Sequence, residues 1–182
     1  MRRKYTRRGS GGQRTVHTST VPDTVDPVNA KAADVKTLMA GAADHPALEA
    51  LVAAIEAEDR HTATRDGLQA FLDRFAPLDA DSQTRVLLGT VGGKPAGVLC
   101  ATAVPKLDSR QGFLFVDELY VLTGFRRNGV GTALLRTACD LARRLGLSGV
   151  RLLARPENRA ALSFYDGLGF NVSDARFHEL RV

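Results

Sequence analysis

Phe113-Leu114-Phe115-Val116-Asp117-Glu118-Leu119-Tyr120-Val121-Leu122 runs directly into Thr123-Gly124-Phe125-Arg126-Arg127-Asn128-Gly129-Val130-Gly131. The first ten residues are apolar apart from Asp117 and Glu118, which reads as a long strand. Gly124 to Gly131 breaks that strand. A helix follows, with Val130, Leu134, Leu141 and Leu145 along one side at spacings of four and seven. Arg143 and Arg144 suit its C-terminus, and Gly146 is a natural stop.

A strand, a glycine turn and a helix in this order make an anion site. Helix N-termini leave unpaired N–H groups and carry partial positive charge. Gly129 and Gly131 have no side chains, so a phosphate can approach the backbone, and Arg126 and Arg127 add charge beside it. No Gly-Lys-Ser/Thr follows, so this is not a P-loop. Ala133 and Leu134 stand where a dinucleotide fingerprint needs its third glycine. On two glycines alone, a loosened turn with solvated arginines remains the plainer reading.

Outward from this centre, Val150–Ala154 reads as a strand and Asn158–Leu168 as a helix ending at Gly169. The segment Phe170–Val182 has room for one or two short strands. Before the centre, Val86–Val91 and Ala96–Val104 flank Gly92-Gly93 as a hairpin. Leu48, Leu51, Val52 and Ile55 form one helical stripe, with Asp44 as N-cap and Pro46 in the first turn. Leu68, Phe71, Leu72 and Phe75 repeat that spacing in a helix from about Thr64. Asn29–Ala40 is expected to be a first helix, and Thr15–Val21 a short, weakly alternating strand. The order predicts an α/β (α+β) domain, a mixed sheet covered by helices.

The chain has 182 residues, 44% apolar and 25% charged, which suits one soluble domain with a tail. No stretch approaches the roughly 20 apolar residues of a membrane span. The net charge is +5, but Arg2, Arg3, Lys4, Arg7, Arg8 and Arg14 put +6 on the first fourteen residues, leaving the remainder at −1. Residues 1–28 therefore read as a basic, disordered tail, and 29–182 as the domain. Nucleic-acid binding would rest on that tail alone. Cys100 and Cys139 have no partner at metal-ligand spacing and read as buried thiols, neither disulfide nor zinc site, in a reducing cytoplasm. No metal is expected.

The run Asp117-Glu118-Leu119-Tyr120-Val121, followed by Arg126-x-x-Gly129-x-Gly131, resembles the central motif of the GNAT superfamily of N-acetyltransferases. Further on, Asn158, Ala161, Phe164, Tyr165, Gly169 and Phe170 match that family's N-x-x-A-x-x-F-Y-x-x-x-G-F signature at every spacing. The good match covers about residues 84–172, and 44–75 match only as a helical pair. The resemblance implies a mostly antiparallel central sheet with helices on both faces, and acetyl-CoA as cosubstrate. It implies that Leu119, Tyr120 and Val121 offer main-chain contacts to the pantetheine arm. It further implies that Arg126, Arg127, Asn128, Gly129, Val130, Gly131 and Thr132 hold the phosphates. Asn158 resembles the asparagine that touches the coenzyme, and it is also a credible helix N-cap.

Tyr165 resembles the tyrosine that protonates the departing thiolate, with packing on its helix face as the alternative role. A protonated amine acceptor needs a base, and Asp117 and Glu118 are the acids in the strand. Strand neighbours point to opposite faces, so one of the two is expected to face the substrate. Asp117 is preferred, because it stands where spermidine/spermine acetyltransferases and similar members keep a catalytic carboxylate. A structural ion pair at the strand end is the alternative role.

The sequence departs from the family in three places. Thr123-Gly124 replaces a Pro-acid pair, the first strand is not identifiable, and the part after Phe170 is short enough to abbreviate the last hairpin. The expected reaction is direct attack of a primary amine on the thioester in a ternary complex. A small amine such as a polyamine, aminoglycoside or amino acid is the leading acceptor. A protein or peptide amine, and a coenzyme A-sensing module without turnover, remain as alternatives. Glu56, Glu58, Asp59, Asp79 and Asp81 read first as a solvated face and loop, and second as a wall that welcomes a cation. Many relatives dimerise, so a homodimer is compatible with the resemblance.

Overall fold

The computed structural model describes residues 34–59, 64–75, 83–107, 111–174 and 178–180. Within them lie strands β1 (Val35–Met39), β2 (Thr84–Val91), β3 (Lys94–Val104), β4 (Phe113–Val121) and β5 (Val150–Leu152). The helices are α1 (His45–Glu58), α2 (Arg65–Phe75), α3 (Val130–Arg144) and α4 (Arg159–Gly167). Among the described residues the sheet runs β1-β2-β3-β4-β5, antiparallel except for the parallel pair β4–β5. The mixed sheet, mostly antiparallel and covered on both faces, is as expected.

Period-two alternation builds two cores. Leu87, Leu99, Leu114 and Val116 point to α3, where Val130, Leu134, Leu135, Ala138 and Leu141 are buried against them. Val86 and Leu88 point the other way, onto Leu48, Leu51 and Ile55 of α1 and Leu72 of α2. The stripe read at 48–55 is buried as predicted. Asp44 stands at the N-cap position of α1 with Pro46 in its first turn. Its carboxylate, however, accepts from the Gly41 N–H at 2.9 Å and does not cap the helix.

The described part of Asn29–Ala40 is not the expected helix, because Val35–Met39 is β1. Ala, Lys, Leu and Met favour helix locally, but pairing with β2 from Val35↔Val91 to Met39↔Leu87 wins. Val35 packs into the α3 core, and Thr37 Oγ1 lies 2.7 Å from Thr137 Oγ1 on α3. The first strand that was not identifiable from sequence is thus β1. The described residues after Phe170 carry no strand, so the short strands expected there do not form among them. Thr15–Val21 lies outside the described residues, as does the basic tail. No helix among the described residues is long and apolar enough to cross a membrane.

Candidate functional site

β5 pairs only with Leu114–Val116, so β4 runs on beyond it with no strand beside it among the described residues. Opposed residues in an antiparallel pair alternate between bonded and non-bonded. The Leu122 N–H donates to the Ala96 carbonyl at 3.0 Å, which sets the phase. Gly97↔Val121 and Leu99↔Leu119 are then non-bonded pairs, whose peptide groups turn away from β3 toward the open edge. Tyr120 falls in a bonded pair and turns its own amide and carbonyl to β3. Of the three residues expected to offer main-chain contacts, Leu119 and Val121 have that geometry and Tyr120 does not.

From β4 the chain makes a 3-10 turn over Thr123–Phe125 and enters α3 through Arg126–Gly129. Gly129 has φ +82°, the left-handed conformation that glycine adopts without penalty. Arg127 adopts φ +63° without that freedom. No side chain caps α3, and its first intrahelical bond is Ala133 N–H to Gly129 carbonyl at 2.9 Å. The amides of Val130, Gly131 and Thr132 precede that bond and lie at the positive end of the helix.

This helix end is seated on glycine. Gly89 and Gly97 are paired on β2 and β3. A Cβ on Gly97 would fall 2.7 Å from the Tyr120 carbonyl oxygen and 3.1 Å from Val130 Cγ1, and one on Gly89 3.0 Å from that same methyl. A Cβ on Gly131 would fall 3.2 Å from Phe164 Cζ, so α4 leans on the turn from the other side. Arg126 bends back over this edge. Its Nε donates to the Val121 carbonyl at 2.9 Å, and its guanidinium lies 5.4 Å from the Tyr120 ring centroid.

Asp117 is an extra residue in β4. Cys100 opposes Glu118 and Ala101 opposes Val116, which leaves Asp117 unopposed. Val116 and Leu119 both belong to the α3 core, so the two residues between them lie on the α1 face. The expectation that one carboxylate faces each side therefore fails, because the bulge interrupts the alternation. Both carboxylates act on the half-buried Cys100 thiol, which desolvation first, then Glu118 and Asp117, push up to about 12. Glu118 is exposed as a residue, yet its carboxyl is partly desolvated by its surroundings. Desolvation, helped by the Asp117 charge, raises its carboxyl above the ordinary 4.5. Cys139 is also half-buried, so neither thiol is fully buried as the sequence suggested, and both are free.

Tyr165 comes from the α3 face. Its ring is held between Phe164 and Phe170, with centroids 5.4 and 5.7 Å away, and burial raises its hydroxyl above the usual phenol range. Asn158 is the N-cap of α4: its Oδ1 accepts from the Ala161 N–H at 3.1 Å. The amide nitrogen of Asn158 lies outside that bond. No cluster of metal-ligating side chains occurs among the described residues.

Two positioning residues were not singled out from sequence, and a third, Glu58, was read only as part of an acidic face. Gly89 and Gly97 had a signal, since glycine inside a strand marks a close backbone approach. Glu58 had none. Its carboxylate accepts from the Thr123 N–H and Oγ1–H at 2.9 Å each, and from the Tyr120 hydroxyl at 3.2 Å. Glu56 meets Arg65 at 3.3 Å. These two acids are engaged within the chain, while Asp79 and Asp81 lie outside the described residues.

Residues 48–170 match the family model described as the acetyltransferase (GNAT) family. An uncharacterized N-acetyltransferase of Methanocaldococcus jannaschii is 34% identical over 86 residues, which are 46% of this chain and 38% of that protein's length. An aminoglycoside acetyltransferase from an uncultured soil sample, solved with sisomicin, superposes with a TM-score of 0.67 at 19% identity, covering 81% of this chain and 95% of that one. AAC(6')-Iy, solved with the bisubstrate analogue CoA-S-monomethyl-acetylneamine, gives 0.66 at 18% identity over 81% and 99% of the two chains. The chain belongs to the GNAT family of acetyltransferases.

Proposed function

We propose that this chain is an acetyl-CoA-dependent N-acetyltransferase that passes an acetyl group directly to the primary amine of a small molecule. The observation that carries this reading is the uncapped N-terminus of α3, seated on Gly89 and Gly97 beside the open edge of β4. The fit is chemical as well as steric: free amides and two arginines suit a diphosphate, and the Leu119 and Val121 peptides suit an amide-bearing arm. When bound, the thioester supplies the activated acetyl group.

The amides of Val130, Gly131 and Thr132 and the loop Arg126–Gly129 hold the diphosphate. Asn158 contributes its amide nitrogen. Glu118 takes the proton of the attacking amine, directly or through water, and Asp117 keeps it basic. The raised carboxyl of Glu118 supports that assignment, because a base works best near the operating pH. Tyr165 gives a proton to the leaving thiolate from the opposite face. Desolvation keeps the phenol protonated until then. Small-amine acceptors gain support from two solved neighbours, whose ligands are sisomicin and an acetylneamine conjugate.

The test is thiol release from acetyl-CoA against polyamines, aminoglycosides, amino acids and short peptides, for the wild type and Tyr165→Phe. Turnover on a small-amine class, lost in the variant, is expected. Turnover on peptides alone would move the acceptor to proteins. Coenzyme binding without turnover would indicate a sensing module.

A further inference from the structure

Glu58 is the last residue of α1, and no basic residue lies in that last turn. A carboxylate there opposes the negative end of the helix dipole. The acid is therefore badly placed for its own helix. Its bonds lead elsewhere, to Thr123 and Tyr120, where β4 ends and the loop into α3 begins.

We propose that Glu58 is a positioning residue that fastens the α1 layer to the phosphate turn and fixes how that turn meets the coenzyme diphosphate. The proposal rests on the coenzyme reading above. Four groups make the connection. Thr123 gives Glu58 both its N–H and its hydroxyl proton, which pins the first residue of the 3-10 turn. Tyr120 gives its hydroxyl proton, which fixes the ring. That ring carries the Arg126 guanidinium, and Arg126 in turn holds the Val121 carbonyl on the open edge of β4. These bonds, the backbone one first, hold the Glu58 carboxyl below its ordinary 4.5, with a smaller contribution from the Arg126 charge. The carboxylate is thus anionic at neutral pH and already engaged. Glu58 touches no reacting atom and acts through Thr123 and Arg126. It also joins the two layers, since α1 covers one face of the sheet and the turn leads into α3 on the other.

The experiment uses the full chain. Coenzyme A is titrated by calorimetry into wild type, Glu58→Gln, Glu58→Ala, Thr123→Val and the Glu58→Ala/Thr123→Val double variant. The KM of the best small amine is measured at saturating acetyl-CoA. Glu58→Ala is expected to weaken coenzyme binding about tenfold and Glu58→Gln about threefold, in keeping with exposed, charge-assisted hydrogen bonds. Thr123→Val keeps the backbone amide and should lose less. The double variant should be no worse than Glu58→Ala, because both changes break one connection. The amine KM should not move.

A raised amine KM with unchanged coenzyme affinity would assign Glu58 to the acceptor and overturn the proposal. A lowered Tm with unchanged coenzyme affinity would reduce Glu58 to a structural tie, with the same consequence. If Glu58→Ala fails to fold, Glu58→Gln and Thr123→Val carry the same comparison. Failure of the wild type to bind coenzyme A would strike the coenzyme reading itself, and it would show before any variant is made.

Discussion

On the α3 face, the groups proposed to meet a ligand are mostly backbone: the first amides of α3, and the Leu119 and Val121 peptides at the open edge of β4. On the α1 face they are the strand carboxylates Asp117 and Glu118, with Glu58 bound to the turn behind them. Backbone recognition needs glycine at fixed spacings and a helix behind it, so it leaves a strong signature in sequence. Side-chain recognition needs an acid that the fold happens to bring near, and many sequences supply one.

The sharpest way to break this comparison is chemical. Tyr165→Phe keeps the packing against Phe164 and Phe170 but removes the proton. It should lower kcat by about 10²-fold or more while coenzyme affinity holds. Glu118→Gln should do the same from the other face, whereas Asp117→Asn should cost less. Equal losses for the two carboxylate variants would contradict the assignment of Glu118.

The pH dependence follows with a definite sign. Glu118 must be ionised to accept a proton, and its carboxyl lies above the usual range. The kcat/KM profile should therefore rise with pH through an apparent pKa above 4.5, and the acid limb should move down in Asp117→Asn. An unmoved limb would separate the two groups.

Backbone seating is tested by Gly97→Ala. The added methyl meets the Tyr120 carbonyl at 2.7 Å, a contact that backbone cannot relieve cheaply. Denaturant unfolding should show a loss of about 3 kcal/mol, and coenzyme affinity should fall as Val130 is displaced. Gly89→Ala meets side chains first, the Val130 methyl at 3.0 Å and Leu134 at 3.4 Å, so it should cost less. Asn158→Ala should be smaller again, about 1 kcal/mol in unfolding from the lost N-cap.

Sequence reading succeeded where local pattern and tertiary role agree. The strand 113–121, the glycine turn, α3 and α4 all appear close to where their residues placed them. It failed at β1, where residues with good helix propensity form a strand because the edge of β2 supplies their hydrogen bonds. It also missed the bulge at Asp117, since a bulge changes the phase of a strand without changing its composition. The tie from Glu58 to Thr123 was invisible because the two are 65 residues apart in the chain. Gly89 and Gly97 were legible in principle, but a strand glycine does not say which neighbour approaches it.

The most direct test of the central claim is a calorimetric titration of the full chain with coenzyme A and, separately, with pantetheine, which lacks the diphosphate and nucleotide. If the α3 N-terminus and its arginines hold the diphosphate, coenzyme A should bind about a hundredfold tighter. Equal affinities, or no binding of coenzyme A, would contradict the account.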